Sequence, residues 1–131
     1  MGLKQANSRL QGNVGIGSAM QYFTSLGWVV STPLTDAQKY DLIVDNGERL
    51  YRVQVKTTFH KTKHDVYQVM IKTCGGNQSF NKTYLFDKNR VDLIFILTDN
   101  GDRWLIPSEK ISNKTTLNLG EVYSTYKLPK S

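Results

Sequence analysis

The chain predicts one α/β domain, and three patterns carry that reading. Ile16, Ala19, Met20, Phe23 and Leu26 recur at i, i+3, i+4, i+7 and i+10, the apolar stripe of an amphipathic helix. Two β-rich runs, 40–45 and 49–57, are joined by Asn46-Gly47, a dipeptide whose tolerance of left-handed backbone suits the tight turn of a hairpin. A second pair of runs, 91–98 and 103–106, meets across Asp99, Asn100, Gly101 and Asp102 and reads as another hairpin.

Taken in order, the helix occupies the stretch 8–26 and stops at Gly27. Residues 28–31 form a short strand, and Pro33, Thr35 and Asp36 make a loop. With Asn46 and Gly47 as the two turn residues of the first hairpin, Asp45 faces Glu48 and Asp41 faces Arg52, with Gln54 as the diagonal neighbour of Asp41. Alternation then places Leu42, Val44, Tyr51, Val53 and Val55 on a core face. Asp41, Arg52, Gln54 and Lys56 share the other face, which is polar and convergent. Residues 66–72 read as a further strand, which brings the sheet to about five or six strands. The stretch 74–90 is polar, with Gly75-Gly76, Asn77, Asn81 and Asn89, and reads as a long functional or mobile loop. Residues 107–111 form one helical turn. The chain is therefore a single domain over 1–131, with a core at about 8–111 and a C-terminal tail at 112–131.

Composition narrows the function classes. The 131 residues are 39% hydrophobic and 21% charged, which excludes a disordered tail and a membrane protein. A chain of this size buries on the order of 70% of its unfolded surface, enough for one core and at most one active site but not for a separate cofactor domain. A net charge of +6 and a pI near 9.5 suit a polyanionic partner without proving one. Cys74 is the only cysteine, so no internal disulfide forms and a reducing compartment is expected. The sequons at Asn77, Asn81 and Asn113 then read as coincidence. The chain lacks an apolar run of about 18 residues and the apolar block of a signal peptide, so no membrane is involved. A cytoplasmic location is expected, or the host cell interior if the gene is phage-encoded. Ala6 occupies the position where a myristoylation signal needs Ser or Thr. Gly12, Gly15 and Gly17 follow no strand and lack the GxGxxG order, so close helix packing accounts for them better than a phosphate cradle.

A carboxylate on one strand and a polar-x-Lys pair on the strand beside it suit a metal-dependent phosphodiesterase. Mg²⁺ takes hard oxygen ligands and keeps several waters, so one or two protein oxygens suffice. Asp41 supplies the anionic ligand, the Gln54 side-chain oxygen a neutral one and the Val55 carbonyl a third, with Mn²⁺ as a possible substitute metal. Lys56 orients or helps deprotonate the attacking water and offsets charge in the transition state. Asp41 alone reads as a solvated strand end, and only its company on one face makes it a site. Arg52 either binds phosphate or pairs with Asp41. His60 and His64 resemble a zinc pair but have only Cys74 nearby to complete it. They belong instead to a basic strip of Lys56, His60, Lys61, Lys63, Lys72, Lys82, Lys88 and Arg90 that holds only Asp65 and Asp87 as acids. Of these, His60, Lys61, Lys63, Lys82, Lys88 and Arg90, together with Arg52, are the candidate DNA contacts. Phe80, Tyr84 and Phe86 either stack on bases or bury themselves under the loop. Asp92 either orients neighbouring backbone groups or simply starts a strand.

Two stretches, Lys39-Tyr40-Asp41-Leu42-Ile43-Val44-Asp45 and Leu50-Tyr51-Arg52-Val53-Gln54-Val55-Lys56-Thr57, resemble the PD-(D/E)xK nuclease superfamily. The similarity is to its branch of short group I intron-associated homing endonucleases, in which Gln often replaces the acid before x-Lys. Val91-Asp92-Leu93-Ile94-Phe95 and Trp104-Leu105-Ile106-Pro107 are similar to the family's later strands. The resemblance implies a restriction-endonuclease-like core, a central mixed β-sheet flanked by helices. It also implies a Mg²⁺-dependent endonuclease that hydrolyses phosphodiester bonds in double-stranded DNA, assembled as a homodimer or homotetramer. The family's Gly-x-x-Gly-Glu stretch reads Gly12-Asn13-Val14-Gly15-Ile16 here, so Ile16 stands where the family has a metal-holding Glu. Three rival readings follow: a catalytically weak or inactive DNA-binding module, a Holliday-junction-resolvase-like nuclease, and a protein-interaction subunit that keeps only the fold.

Overall fold

A computed structural model describes residues 7–75 and 82–130. The helix α1 (Ser8–Ser25) starts where the Asn7 side chain accepts the Leu10 N–H at 2.9 Å, replacing one of the acceptors the first turn lacks. It ends where Gly27, at φ +79°, takes the left-handed conformation that lets the chain turn off the helix axis. Gly15, Ala19 and Phe23 are its buried residues. Leu26, the last member of the predicted stripe, is instead 47% exposed, because the helix has already terminated there.

The central sheet has five strands in the order β1-β2-β3-β7-β8. They are β1 (Val29–Ser31), β2 (Leu42–Asp45), β3 (Leu50–Thr58), β7 (Leu93–Thr98) and β8 (Arg103–Pro107). Only β3 and β7 run parallel, so the sheet is mixed. Between them β4 (Gln68–Met70), β5 (Thr73–Gly75) and β6 (Lys82–Tyr84) leave the sheet, β5 pairing with β6 as a hairpin. Asn77, Asn81 and Phe80 fall outside the described residues. The helix covers one face of the sheet, packing Ala19 and Phe23 onto Leu42, Val44, Val53 and Phe95. No second α-helix covers the other face among the described residues. That face carries a second core, in which Val69, Ile71, Phe86, Leu117, Leu119 and Tyr123 pack onto Ile94, Ile96 and Ile106.

Three expectations change. The first hairpin has a four-residue loop, since Asp45 pairs with Leu50 and Ile43 with Arg52. Side-chain bonds explain the extra length: Asn46 Oδ1 accepts the N–H groups of Glu48 and Arg49 at 2.8 and 2.9 Å, and Asp45 Oδ1 accepts that of Gly47 at 2.8 Å. Arg52 therefore does not face Asp41; one step beyond the Leu42–Val53 pair, Asp41 lies level with Gln54. Because the shift is two residues, every side chain keeps its predicted face.

The strand expected over 66–72 shrinks to β4, which pairs outside the central sheet with β9 (Thr116–Asn118). Finally, the C-terminal tail over 112–131 carries structure of its own. It supplies β9 and a 3₁₀ turn (Glu121–Tyr126), and it is anchored where Lys127 meets Asp102 at 3.0 Å and the Leu128 N–H donates to the Arg103 carbonyl at 2.7 Å. The helical turn expected at 107–111 is a 3₁₀ turn over Ser108–Lys110.

Candidate active site

The site grows from one mismatch of strand lengths. Strand β2 ends beside Val53, whereas β3 continues to Thr58, so beyond that point one edge of β3 has lost its partner strand. Unpaired backbone groups at such an edge need other partners. Asp41 provides them: its N–H donates to the Val53 carbonyl at 2.8 Å, and its Oδ2 accepts the Val55 N–H at 2.7 Å. A side-chain carboxylate thus takes the place of the next rung of the ladder. In an extended strand the N–H and C=O of one residue leave the same edge, so the Val55 carbonyl points to this edge too.

Asp41 is exposed as a residue, yet burial of its carboxyl group is the largest influence on it and raises its pKa. The Val55 N–H bond and the Lys56 charge pull the other way. The Lys56 charge therefore lies within electrostatic reach of Asp41.

Gln54 is buried, 6% exposed, beneath the second core. Its Nε2 donates to the Lys39 carbonyl at 3.2 Å, and since that carbonyl only accepts, the amide can have only one orientation. Oε1 is left turned away and has no hydrogen-bond partner among the described residues. Gln54 also lines a cavity of ≈ 320 Å³ with Lys39, Tyr84, Phe86 and Arg90. The polar face expected from alternation is thus partly closed over, because segments distant in sequence cover it.

The helix meets the site through Gly15. A Cβ there would lie 2.7 Å from Thr57 Cγ2 and 3.1 Å from Val55 Cγ1, so only glycine allows α1 this close to β3. One turn earlier, Gln11 and Gly12 share a cleft with Val55, Lys56, Thr57 and Lys72. Ile16, partly buried, packs against the core under α1, as Val55 does.

Arg52 points elsewhere. Its Nε and Nη2 donate to Asp92 Oδ2 and Oδ1 at 3.1 and 3.2 Å, and its Nη1 donates to the Asn89 carbonyl at 3.1 Å. Asp92 also accepts the Arg52 backbone N–H at 2.8 Å, so it orients backbone as one of its two readings held. Spacing in the sequence gave no sign of this pair, whose members are forty residues apart. The Arg52 bonds hold the Asp92 carboxyl below its ordinary value of 3.8. A depressed carboxylate stabilises the fold above its unfolded pKa, and that contribution is lost as pH falls through the folded value. We expect the melting temperature of wild type to drop below about pH 4, and that of Asp92→Asn to be lower at neutral pH and flatter across the same window. A thermal melt series in both proteins checks this, and parallel curves would rule the pair out as a stabilising contact.

The members of the basic strip stand on different elements. His60, Lys61 and Lys63 follow the C-terminal end of β3, whereas Arg90 lines the Gln54 cavity and Lys88 a cleft with Arg49 and Tyr51. Lys61 lies 3.2 Å from Asp65 and 4.8 Å from the Tyr67 ring centre. Tyr67 donates its hydroxyl to Asp99 at 2.6 Å, which is the main reason its pKa is pushed up to about 12. Lys82 falls on β6. Among the described residues no three His, Cys, Asp or Glu side chains cluster to hold a metal ion, so His60 and His64 gain no zinc partners. No described helix is long and apolar enough to cross a membrane.

A family model for PD-(D/E)XK endonucleases matches residues 6–126. Among solved structures, the bacterial homing endonuclease I-Ssp6803I is similar, with a TM-score of 0.80 at 23% identity over 93% of this chain and 89% of that one. No curated protein matches the sequence.

Proposed function

The chain belongs to the PD-(D/E)XK endonuclease family, and from that premise we propose that it is a divalent-metal-dependent endonuclease that hydrolyses phosphodiester bonds in double-stranded DNA. The observation that carries the proposal is the edge of β3, where the Asp41 carboxylate, the Val55 backbone and Lys56 converge beside a buried, unpaired Gln54 oxygen. An unsatisfied buried acceptor is costly, and a hard cation satisfies it. Asp41, Gln54 Oε1 and the Val55 carbonyl are the oxygens that would hold Mg²⁺, or Mn²⁺ in its place. When bound, the ion supplies Lewis-acid stabilisation of charge on the phosphoryl oxygens.

The chain's own groups do the rest. The Lys39 carbonyl orients the Gln54 amide, and the Val55 N–H fixes the Asp41 carboxylate. Lys56 brings a positive charge to the attacking water and the reacting phosphate. His60, Lys61, Lys63, Lys82, Lys88 and Arg90 contact flanking phosphates, and Arg52, already held by Asp92, contributes least. A domain this small covers part of a long target, so the active form is a symmetric dimer or tetramer.

Cleavage of a large mixed DNA substrate in Mg²⁺, in Mn²⁺ and in EDTA tests this reading. Discrete products with either metal, absent in EDTA and in Asp41→Ala, are expected. Because the Asp41 pKa is raised, proton competition reaches higher pH than for an ordinary Asp, so metal affinity measured by calorimetry should fall as pH drops through that raised value. Metal affinity unchanged in Asp41→Ala would sink the ligand assignment. Ile16, packed against the core where the family has Glu, favours a second reading, a DNA-binding module with weak catalysis. Salt-sensitive DNA binding without metal-dependent products is its signature.

A further inference from the structure

Away from the Asp41 edge, a cleft of ≈ 530 Å³ opens at the other end of β3, lined in part by Trp28, Arg49, Tyr51, Lys88, Ser108 and Glu109. Three features set it apart from an ordinary surface hollow. A continuous stack leads into it from the core. Phe23 and Trp28 lie 5.6 Å apart at 28°, Trp28 and Tyr51 lie 5.9 Å apart at 19°, and the Arg49 guanidinium sits 4.2 Å from the Tyr51 ring centre. The stack fixes the plane of an otherwise mobile side chain.

The Arg49 guanidinium also makes no side-chain hydrogen bond among the described residues, and its ion pair with Asp92 is a long one. Its approach to Asp92 is 3.9 Å, beyond hydrogen-bond range, and Asp92 is already bound by Arg52. Ser108, finally, is 3% exposed, and its hydroxyl has no hydrogen-bond partner among the described residues. A buried hydroxyl without a partner is unfavourable unless a ligand supplies one.

We propose that this cleft grips a backbone phosphate of bound DNA through Arg49, Ser108 and Lys88. The proposal rests on the reading of the chain as a DNA endonuclease. A planar fork, a compact cation and a hydroxyl give the donors that a phosphodiester accepts. Tyr51 lies four residues from Val55 on β3, about 13 Å at ~3.3 Å per residue, and on the face opposite Gln54 and Lys56, so the cleft is separate from the Asp41 edge and holds a phosphate of its own. Glu109 and Asp92, which both line the cleft, oppose the anion and limit its affinity, Asp92 the less because Arg52 already neutralises it.

Equilibrium binding of a fluorescent duplex to the full chain in EDTA tests the grip without chemistry. Arg49→Ala is expected to weaken binding about tenfold near 0.1 M salt and to lower the salt slope by about one. Ser108→Ala should weaken it severalfold with the slope unchanged, since no charge is lost. Glu109→Gln should tighten it, and Arg49→Lys should keep the slope while losing affinity. Arg49 stands on an exposed loop, and matching melting curves for Arg49→Ala and wild type separate grip from folding. Wild type that fails to bind DNA overturns both this site and the endonuclease reading. Binding indifferent to Arg49→Ala overturns this site alone, and loss of grip in Arg49→Ala in a chain that never cleaves keeps this site and overturns catalysis.

Discussion

Lys56→Ala lowers the rate of metal-dependent DNA cleavage by about 10²-fold or more, while DNA binding in EDTA stays within a few-fold of wild type. Removing one preorganised group that meets developing charge costs ~10² to 10³ in rate. The variant also changes Asp41. The Lys56 charge is one of the two influences that hold the Asp41 pKa down against burial. Without it the carboxyl rises further, so the pH profile of any residual cleavage moves to higher pH. A structural role alone does not move the profile in this way. Lys56→Arg keeps the charge that opposes the rise of the Asp41 pKa but not the compact ammonium, so it restores the profile more than the rate. Residual cleavage within about fivefold of wild type would remove Lys56 from the site.

Gly15→Ala is the largest single-methyl effect expected in the chain. The added Cβ meets Thr57 Cγ2 at 2.7 Å and Val55 Cγ1 at 3.1 Å, so α1 must move away from β3. Overpacking of this kind costs about 1–3 kcal/mol, a loss of several degrees in melting temperature. Because the displaced strand segment carries Val55 and Lys56, cleavage falls further than stability alone predicts. Thr57→Ser removes the nearer methyl and recovers part of both losses in the double mutant. Gly12→Ala is the control: a Cβ there meets nothing within 4 Å, so the ordinary helix preference for alanine stabilises the chain by roughly 0.5–1 kcal/mol. Equal melting temperatures for Gly15→Ala and Gly12→Ala would show that the close approach does not constrain the fold.

What was legible in the sequence depended on range. The stripe from Ile16 to Phe23, the Asn46-Gly47 hairpin and the face alternation of β2 and β3 are local patterns, and the architecture carries all of them. Asp41, Gln54 and Lys56 share a neighbourhood because one hairpin joins their strands, so their shared face could be read without tertiary information. The register was read two residues short, because side-chain bonds from Asp45 and Asn46 lengthened the loop. The burial of Gln54 was illegible for another reason. Its cavity is walled by Lys39, Ile71 and the stretch 84–91, which lie outside the hairpin and carry too little periodicity to announce themselves. The Asp92–Arg52 pair joins residues whose neighbourhood exists only once β3 and β7 lie side by side.

The parallel pairing of β3 with β7 has a consequence in time. Its rungs join residues such as Val53 and Leu93, and the core on the Gln54 face of the sheet is completed by Leu117, Leu119 and Tyr123, more than sixty residues further along the chain. Long-range pairing must bear its loop-closure entropy before contacts repay it, so it forms late. The hairpin bearing Asp41 and Lys56 therefore leaves the ribosome well before the scaffold that aligns it. A nascent chain thus carries Asp41 and Lys56 before the arrangement around them exists.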